Sequence, residues 1–290
     1  MTKLGLVILN YNDYQMTIAL LNNIKEYKCL DKIVIVDNKS TDESFKYLKK
    51  CESKKIVVLE AEENKGVASG YNIGARYLNK TLKDCNIIFS NSDIIINKEE
   101  DLKKLNSDIK GNIAVVGPTI VENRKLNRGW MMSTVSDEIK FNIPFFSRKY
   151  RKENFYDDKH YDEDISLVGV VSGCFFCVSG KQLEKVDYFD ENTFLYYEEL
   201  ILAKKFEKID MQEAIDNNVV IIHNHSVTID KNVNKINKYK ILKQSQRYFV
   251  KEYLQATEKE LKRLDFTNKL SLILLYIRCF FRGGIKKWKE

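Results

Sequence analysis

Four short runs dense in Val and Ile, at 4–10, 32–37, 56–60 and 86–90, alternate with stretches of helical periodicity. The stretch 13–27 carries Met16, Ile18, Ala19, Leu20 and Ile24 at mostly helical spacing. Thr41, Asp42 and Glu43 open a second helix that continues to Lys50, with acidic side chains where the N-terminal dipole favours them. This β-α-β-α-β-α-β order predicts an α/β fold, a mainly parallel sheet covered by helices. Ligands of such sheets bind beyond the carboxyl ends of the strands.

The residues that follow the four strands are Asn10-Tyr11-Asn12, Asp37-Asn38-Lys39-Ser40, Glu62-Glu63-Asn64-Lys65-Gly66 and Asn91-Ser92-Asp93. All four junctions are polar, and a parallel sheet gathers them on one rim. Over 122–164 periodicity is lost among aromatic residues, Trp130, Phe141, Phe145, Phe146, Tyr150 and Phe155 among them. That stretch reads as long loops over the working edge. Order resumes with a strand over 169–179, a short helix from Lys181, a helix near Tyr197 and a strand over 219–223.

With 290 residues, 44% hydrophobic and 31% charged, the chain has material for one large core, or one domain with an appendage. Two prolines and twelve glycines exclude a Pro-rich or Gly-rich linker. Six scattered cysteines predict free thiols. Met1-Thr2-Lys3 runs straight into a strand without the apolar core of a secretory signal, so a cytoplasmic location is expected. Charge divides the chain at about residue 230. Residues 231–290 carry 16 Lys and Arg against 5 Asp and Glu, leaving 32 against 36 for residues 1–230. A basic tail on a mildly acidic body points to an anionic membrane surface or another acidic partner; no nucleic-acid recognition module is present. No G-x-G-x-x-G follows the first strand, which disfavours a Rossmann dehydrogenase. A nucleotidyltransferase would need a Gly-rich, basic phosphate loop near residue 10, which is also lacking.

Six motifs fall in a fixed order: Val7-Ile8-Leu9-Asn10-Tyr11-Asn12; Val36-Asp37-Asn38-Lys39-Ser40-Thr41-Asp42; Asn64-Lys65-Gly66 followed by Gly70-Tyr71-Asn72-Ile73-Gly74; Asn91-Ser92-Asp93; Phe189-Asp190-Glu191 through Glu198-Glu199; and 223–226. Together they resemble the family 2 glycosyltransferases, particularly bacterial enzymes that add rhamnose or galactofuranose to surface polysaccharides. The resemblance spans residues 4–228. It implies a GT-A fold in a catalytic domain over 1–230, a nucleotide-sugar donor, a glycan or polyprenyl-linked acceptor, and a divalent metal.

Asp93 follows a buried strand, where a carboxylate could hold Mn²⁺ or Mg²⁺ against a departing diphosphate. It matches the last acidic position of the family's Asp-x-Asp-like motif, and Asn91 stands at the first. By itself the pair would read as a turn cap. The resemblance makes Asp37 the acceptor for a nucleobase imide, favouring uridine or deoxythymidine donors, with Leu9, Asn10 and Tyr11 as walls and Asn38, Ser40, Asn64, Gly66 and Ser92 nearby. It makes Glu199 the base that deprotonates the acceptor hydroxyl in an inverting transfer, with Glu198 next to it. Both could instead be favourable N-terminal helix charges. Here the chain departs from the family: Glu199 replaces an Asp, Ile201 stands where another Asp is common, and Lys205 replaces an Arg. A catalytically silent sugar-nucleotide-binding partner is the alternative those departures leave open. His223 maps to the family's metal or phosphate histidine; His225 shares its strand face. His160 is given no role, and Cys174 and Cys177 read as core packing on opposite faces of a strand.

In the tail, 231–260 predicts a basic helix and 271–281 an apolar run. About eleven residues are too few to cross a bilayer, which needs about twenty. The run either lies in the membrane interface, docking the protein to the inner leaflet, or packs on the body as an ordinary helix.

Overall fold

The computed structural model describes residues 2–224 and 235–287. It begins with β1 (Lys3–Asn10), α1 (Tyr14–Ile24), β2 (Lys32–Asp37), α2 (Ser44–Lys49), β3 (Ile56–Glu60), α3 (Val67–Leu82) and β4 (Cys85–Asn91). There follow β5 (Ile94–Ile95), α4 (Glu99–Asp108), β6 (Ile113–Glu122), β7 (Lys125–Asn127), α5 (Val135–Lys140) and α6 (Ser147–Glu153). The chain continues through β8 (Ile165–Val168), β9 (Phe175–Ser179), α7 (Gly180–Lys185), α8 (Glu198–Glu207), β10 (Gln212–His223), α9 (Lys235–Glu252) and α10 (Glu258–Lys287).

One sheet runs in the order β3-β2-β1-β4-β9-β6-β10-β5. The first four strands pair in parallel, as do β6 and β10, while β9 enters antiparallel between β4 and β6. The fold is α/β with a mostly parallel central sheet and C-terminal helices. Leu4, Leu6, Val7 and Ile8 of β1 are buried, each contributing roughly 1.5–3 kcal/mol of transfer free energy. One core cluster lies on the α3 side of the sheet and a second on the α1, α2 and α4 side.

The register aligns the strand ends. Asn10 pairs with Asp37, and Leu9 with Asn91. The glycines of the Gly70-to-Gly74 motif let α3 lie close over β1. A methyl at Gly70 would sit 2.3 Å from Leu9 Cδ1, and one at Gly74 2.6 Å from Val7 Cγ1.

Three sequence expectations change. The stretch 169–179 is not one strand: β8 pairs with β10, β9 pairs with β4 and β6, and residues 169–174 bridge them. Cys174 therefore precedes β9, and it packs against the same core cluster as Cys177 instead of facing away from it. The region 122–164 holds helices as well as loops. The Thr134 hydroxyl accepts from the Asp137 N–H and the Asp137 carboxylate accepts from the Thr134 N–H, a capping box that starts α5. In the tail, the apolar run belongs to α10, a 30-residue helix. Val170, Tyr197, Leu200, Ile201 and Ala203 share a third cluster with Phe249, Val250, Leu261 and Leu264, so α9 and the start of α10 pack on α8. No described helix is long and apolar enough to cross a membrane. All six cysteines are free thiols.

Candidate active site

The rim at the carboxyl ends of β1, β2 and β4 is a polar network. Asp37, buried at the end of β2, accepts from the Asn10 amide at 2.7 Å, from the Ser40 hydroxyl at 2.6 Å and from the Ser40 N–H at 3.0 Å. The Thr17 hydroxyl donates to the other end of the Asn10 amide at 2.8 Å, fixing its orientation. The Asn38 amide donates to Asn64 Oδ1 and to the Gly66 carbonyl, both at 3.0 Å. This ties the second junction to the third. Leu9 and Tyr11 are partly exposed on the same edge. Gly66 has φ +102°, and a Cβ there would lie 2.0 Å from the Phe194 carbonyl oxygen. That approach is open only to glycine, and it carries the 3.1 Å bond from the Val67 N–H to the Phe194 carbonyl.

Across β1 lies the acidic half. Strands are spaced about 4.8 Å apart, so the ends of β2 and β4 are about 10 Å from each other. Ser92 and Asp93 are buried just past β4. The end of β10 pairs with β5, setting His223 opposite Ile94, and pairs with β6, setting His223 beside Glu122. His223 Nε2 thus reaches Asp93 Oδ1 at 3.2 Å, and Nδ1 lies 3.6 Å from Glu122 Oε2. Burial by itself would lower the His223 pKa, but the hydrogen bond and charge of Asp93, helped by Glu122, hold it above its ordinary value.

Glu198 and Glu199 open α8 behind an uncommon turn. Tyr196 and Tyr197 both have φ 73°, and two aromatic residues in the left-handed region cost of order 1 kcal/mol each or more. A buried network holds Tyr197. The Tyr197 hydroxyl donates to Glu138 Oε2 at 2.6 Å, the Gln246 amide donates to the same oxygen at 2.7 Å, and the Ser133 hydroxyl donates to Glu138 Oε1 at 2.6 Å. Burial, then the neighbouring charge of Glu199, pushes Glu198 up to about 8, and burial raises Glu199. The Glu199 carboxyl lies beside Gly173, where an added Cβ would be 3.5 Å from Oε2.

Tyr71 joins the two halves. Its hydroxyl donates to Asn91 Oδ1 at 3.3 Å. Its phenol is held far above its ordinary pKa, first by burial and then by Cys174, Glu198, Asp93 and Glu199. The charges of Asp93, Glu198 and Glu199 all act on this phenol, and Asp37 ends β2 on the other side of β1 from Asn91. Glu213 accepts from the Val171 N–H at 2.8 Å. Tyr71, Glu122, Glu138 and Glu213 are not marked out individually by the sequence. Only the ordered motif around Tyr71 offered a signal; the others depend on pairings made by the fold.

The departures from the family pattern on α8 have structural accounts. Ile201 is buried against the C-terminal helices. Lys205 donates to the carbonyls of Asp187 and Tyr188 at 3.1 and 2.5 Å, tying α8 to a tight turn instead of reaching the acidic pocket. Asn72 clasps the Phe189 backbone from both sides at 2.9 Å and donates to Glu191 at 2.7 Å. Asp190 accepts from the hydroxyls of Tyr248 on α9 and of Tyr253 just past it. His160 Nε2 lies 2.8 Å from the Leu167 carbonyl, away from the rim. His225 and Ser226 lie outside the described residues.

The family model for glycosyl transferase family 2 matches residues 6–178, more than half of the chain. The chain belongs to glycosyl transferase family 2. The low-salt glycan biosynthesis hexosyltransferase Agl10 of Haloferax volcanii is 23% identical over 229 residues, covering 77% of this chain and 68% of its own. Among solved structures, the mannosyltransferase PcManGT from Pyrobaculum calidifontis, in complex with GDP-Man and Mn²⁺, superposes with a TM-score of 0.60 at 12% identity. It covers 93% of this chain and 72% of its own. S. aureus TarS residues 1–349 with UDP-GlcNAc gives 0.57 at 15% identity, covering 91% and 70%. These likenesses give the family 2 chain a GT-A fold. Among its described residues no group of three or more His, Cys, Asp and Glu side chains is arranged to hold a metal. The donor set at the rim is smaller: Asp93 and His223, with Glu122 behind. Two protein donors fit a hard divalent cation whose other positions are filled by diphosphate oxygens and water.

Proposed function

We propose that this family 2 glycosyltransferase moves a sugar, with inversion, from a UDP- or dTDP-sugar to a hydroxyl of a glycan acceptor. The acceptor is carried on a polyprenyl diphosphate at the inner face of the membrane, and the sugar is of the rhamnosyl or galactofuranosyl type. The observation that carries the reading is the shared rim: Asp37 ends β2, Asp93 follows β4 one strand beyond β1, and Glu199 lies against Gly173, whose neighbour Cys174 accepts from the Asn91 N–H at 2.9 Å.

The nucleoside lies along the β1–β2 edge, against Leu9 and Tyr11. Asp37 has about four acceptor positions and uses three, which leaves one on Oδ2 for a pyrimidine imide. Asp37 is fully covered, so that contact requires the neighbouring loop to move. Asn10, Asn38, Ser40, Asn64, Gly66 and Ser92 shape the walls. Asp93 and His223 hold Mn²⁺ or Mg²⁺, which when bound offsets the charge that develops on the diphosphate. Glu199 takes the acceptor proton, its proton affinity raised by burial, with Glu198 beside it. A carboxylate pKa raised toward neutrality suits a general base.

Thermal shift with UDP- and dTDP-sugars and Mn²⁺ tests the donor, since a ligand that binds the folded state stabilises it. Anomeric configuration of the product by NMR tests inversion. Glu199→Gln is expected to keep donor binding and lose turnover. Binding without turnover in the unaltered protein, unaffected by that substitution, would instead favour a silent sugar-nucleotide-binding partner.

A further inference from the structure

Away from the rim, a cleft of about 450 Å³ opens between the loop and helix around α6 and the helices α9 and α10. Four basic side chains, Arg148, Arg151, Lys243 and Arg278, are in its wall, and among the described residues no carboxylate is. Among the described residues the three arginines form no ion pair. Arg151 stacks instead on the Phe141 ring, 5.5 Å from its centroid. Lys243 closes the bottom of the cleft, bonded to the Asn142 side chain and, at 3.1 Å, to Gln246 Oε1. Burial, then the charge of Arg151, pushes Lys243 down to about 7. Three guanidinium groups on one cleft, none of them ion-paired among the described residues, make it a receptor for an anion.

The cleft borders exposed apolar surface on two sides. Phe145 and Phe146, just before α6, are 81% and 55% exposed. On α10, Phe266, Leu270, Ile273 and Ile277 are all exposed. Their spacing of four, three and four residues makes one stripe along the helix. Leu274, Leu275 and Arg278 turn from the same helix into the cleft. A helix whose exposed apolar stripe adjoins a cationic pocket matches an anionic bilayer surface: tails receive the stripe, and a headgroup phosphate receives the cations. A soluble anion would leave the aromatic pair and the stripe in water.

We propose that this cleft binds the headgroup phosphate of an anionic membrane lipid while Phe145, Phe146 and the α10 stripe rest in the interfacial layer. The inference rests on the membrane-surface part of the function proposed above, and not on its transfer chemistry. It moves the docking surface from the tail alone to a composite of α6 and α10.

Flotation of the full-length protein with phosphatidylcholine vesicles, with and without phosphatidylglycerol, tests it. Wild type is expected to float only with phosphatidylglycerol. The double variant Arg151→Ala/Arg278→Ala removes two exposed cations and is expected to bind about 30-fold more weakly, at about 1 kcal/mol per cation. Lys54→Ala/Lys80→Ala removes the same charge elsewhere and is expected to retain vesicle binding. An equal loss in both double variants would overturn the proposal, because net charge would then suffice. Retained binding in Arg151→Ala/Arg278→Ala would overturn it too, as would a cleft that inorganic phosphate saturates with no effect of the variants on vesicles. Donor hydrolysis in detergent, measured on the same proteins, reports the transfer reading separately.

Discussion

Gly66→Ala perturbs a contact on which both halves of the site depend. The residue has φ +102° and ψ −174°, a region nearly restricted to glycine, and holding Ala there costs roughly 1–3 kcal/mol. The new methyl would also lie 2.0 Å from the Phe194 carbonyl oxygen, where ordinary contact begins at 3.4 Å. Backbone must therefore give way by about 1.4 Å, the difference between those distances. Doing so breaks the Val67 N–H bond to that carbonyl, about 1 kcal/mol more. The expected loss is about 2–4 kcal/mol, or a urea midpoint lower by roughly 1–2 M at a slope near 2 kcal/mol/M. Phe194 leads through Tyr196 and Tyr197 into Glu198 and Glu199, so kcat should fall by at least about 10-fold. Gly111→Ala supplies the control. Its φ is +59° with nothing within 4 Å of the added methyl, so it should cost only about 1 kcal/mol and leave kcat alone. Equal midpoints for the two variants would refute the steric reasoning, and a large stability loss with unchanged kcat would refute the link to α8.

Tyr197→Phe removes a hydrogen bond to the buried Glu138 carboxylate. It is expected to cost about 2 kcal/mol by chemical denaturation and to lower kcat more than it raises KM. Glu213, buried beneath the 171–173 segment, is pushed up to about 8 by burial first and by Glu199. The folded protein then keeps a proton that the unfolded chain releases from about pH 4.5 upward. Stability should fall as pH rises from there to about 8 and level off above. Glu213→Gln, measured by denaturation across that range, is expected to flatten part of the slope; an unaltered slope would refute the assignment. Chelation by EDTA should abolish turnover and added Mn²⁺ or Mg²⁺ restore it. Asp93→Asn should lose the extra thermal shift that Mn²⁺ gives with donor.

The strands and their junctions were legible because buried parallel strands are written as nearly uninterrupted Val and Ile, and polar residues mark where each one ends. Asp37, Asp93 and His223 could be picked out for the same reason: each stands at or just past a strand end, where position follows from topology. Three features were hidden. Residues 169–179 look like one strand because apolar density continues through the bridge, although the hydrogen-bond partners change. The helices of 122–164 are short, and the capping box at Thr134 was their clearest local sign. The pairing of Tyr197 with Glu138 joins residues 59 apart, and no periodicity encodes it.

The helix that bears Glu198 and Glu199 is an interior layer. Leu202 and Phe206 face the sheet-side cluster, while Leu200, Ile201 and Ala203 face α9 and α10. Severing the chain after β10 would uncover an oily flank on the helix that bears the proposed base. It would also leave the Glu138 carboxylate without its Gln246 donor. The helix α9 and the start of α10 thus act as a buttress for α8, and engineering that swaps pieces between relatives would have to carry α8, α9 and the start of α10 together.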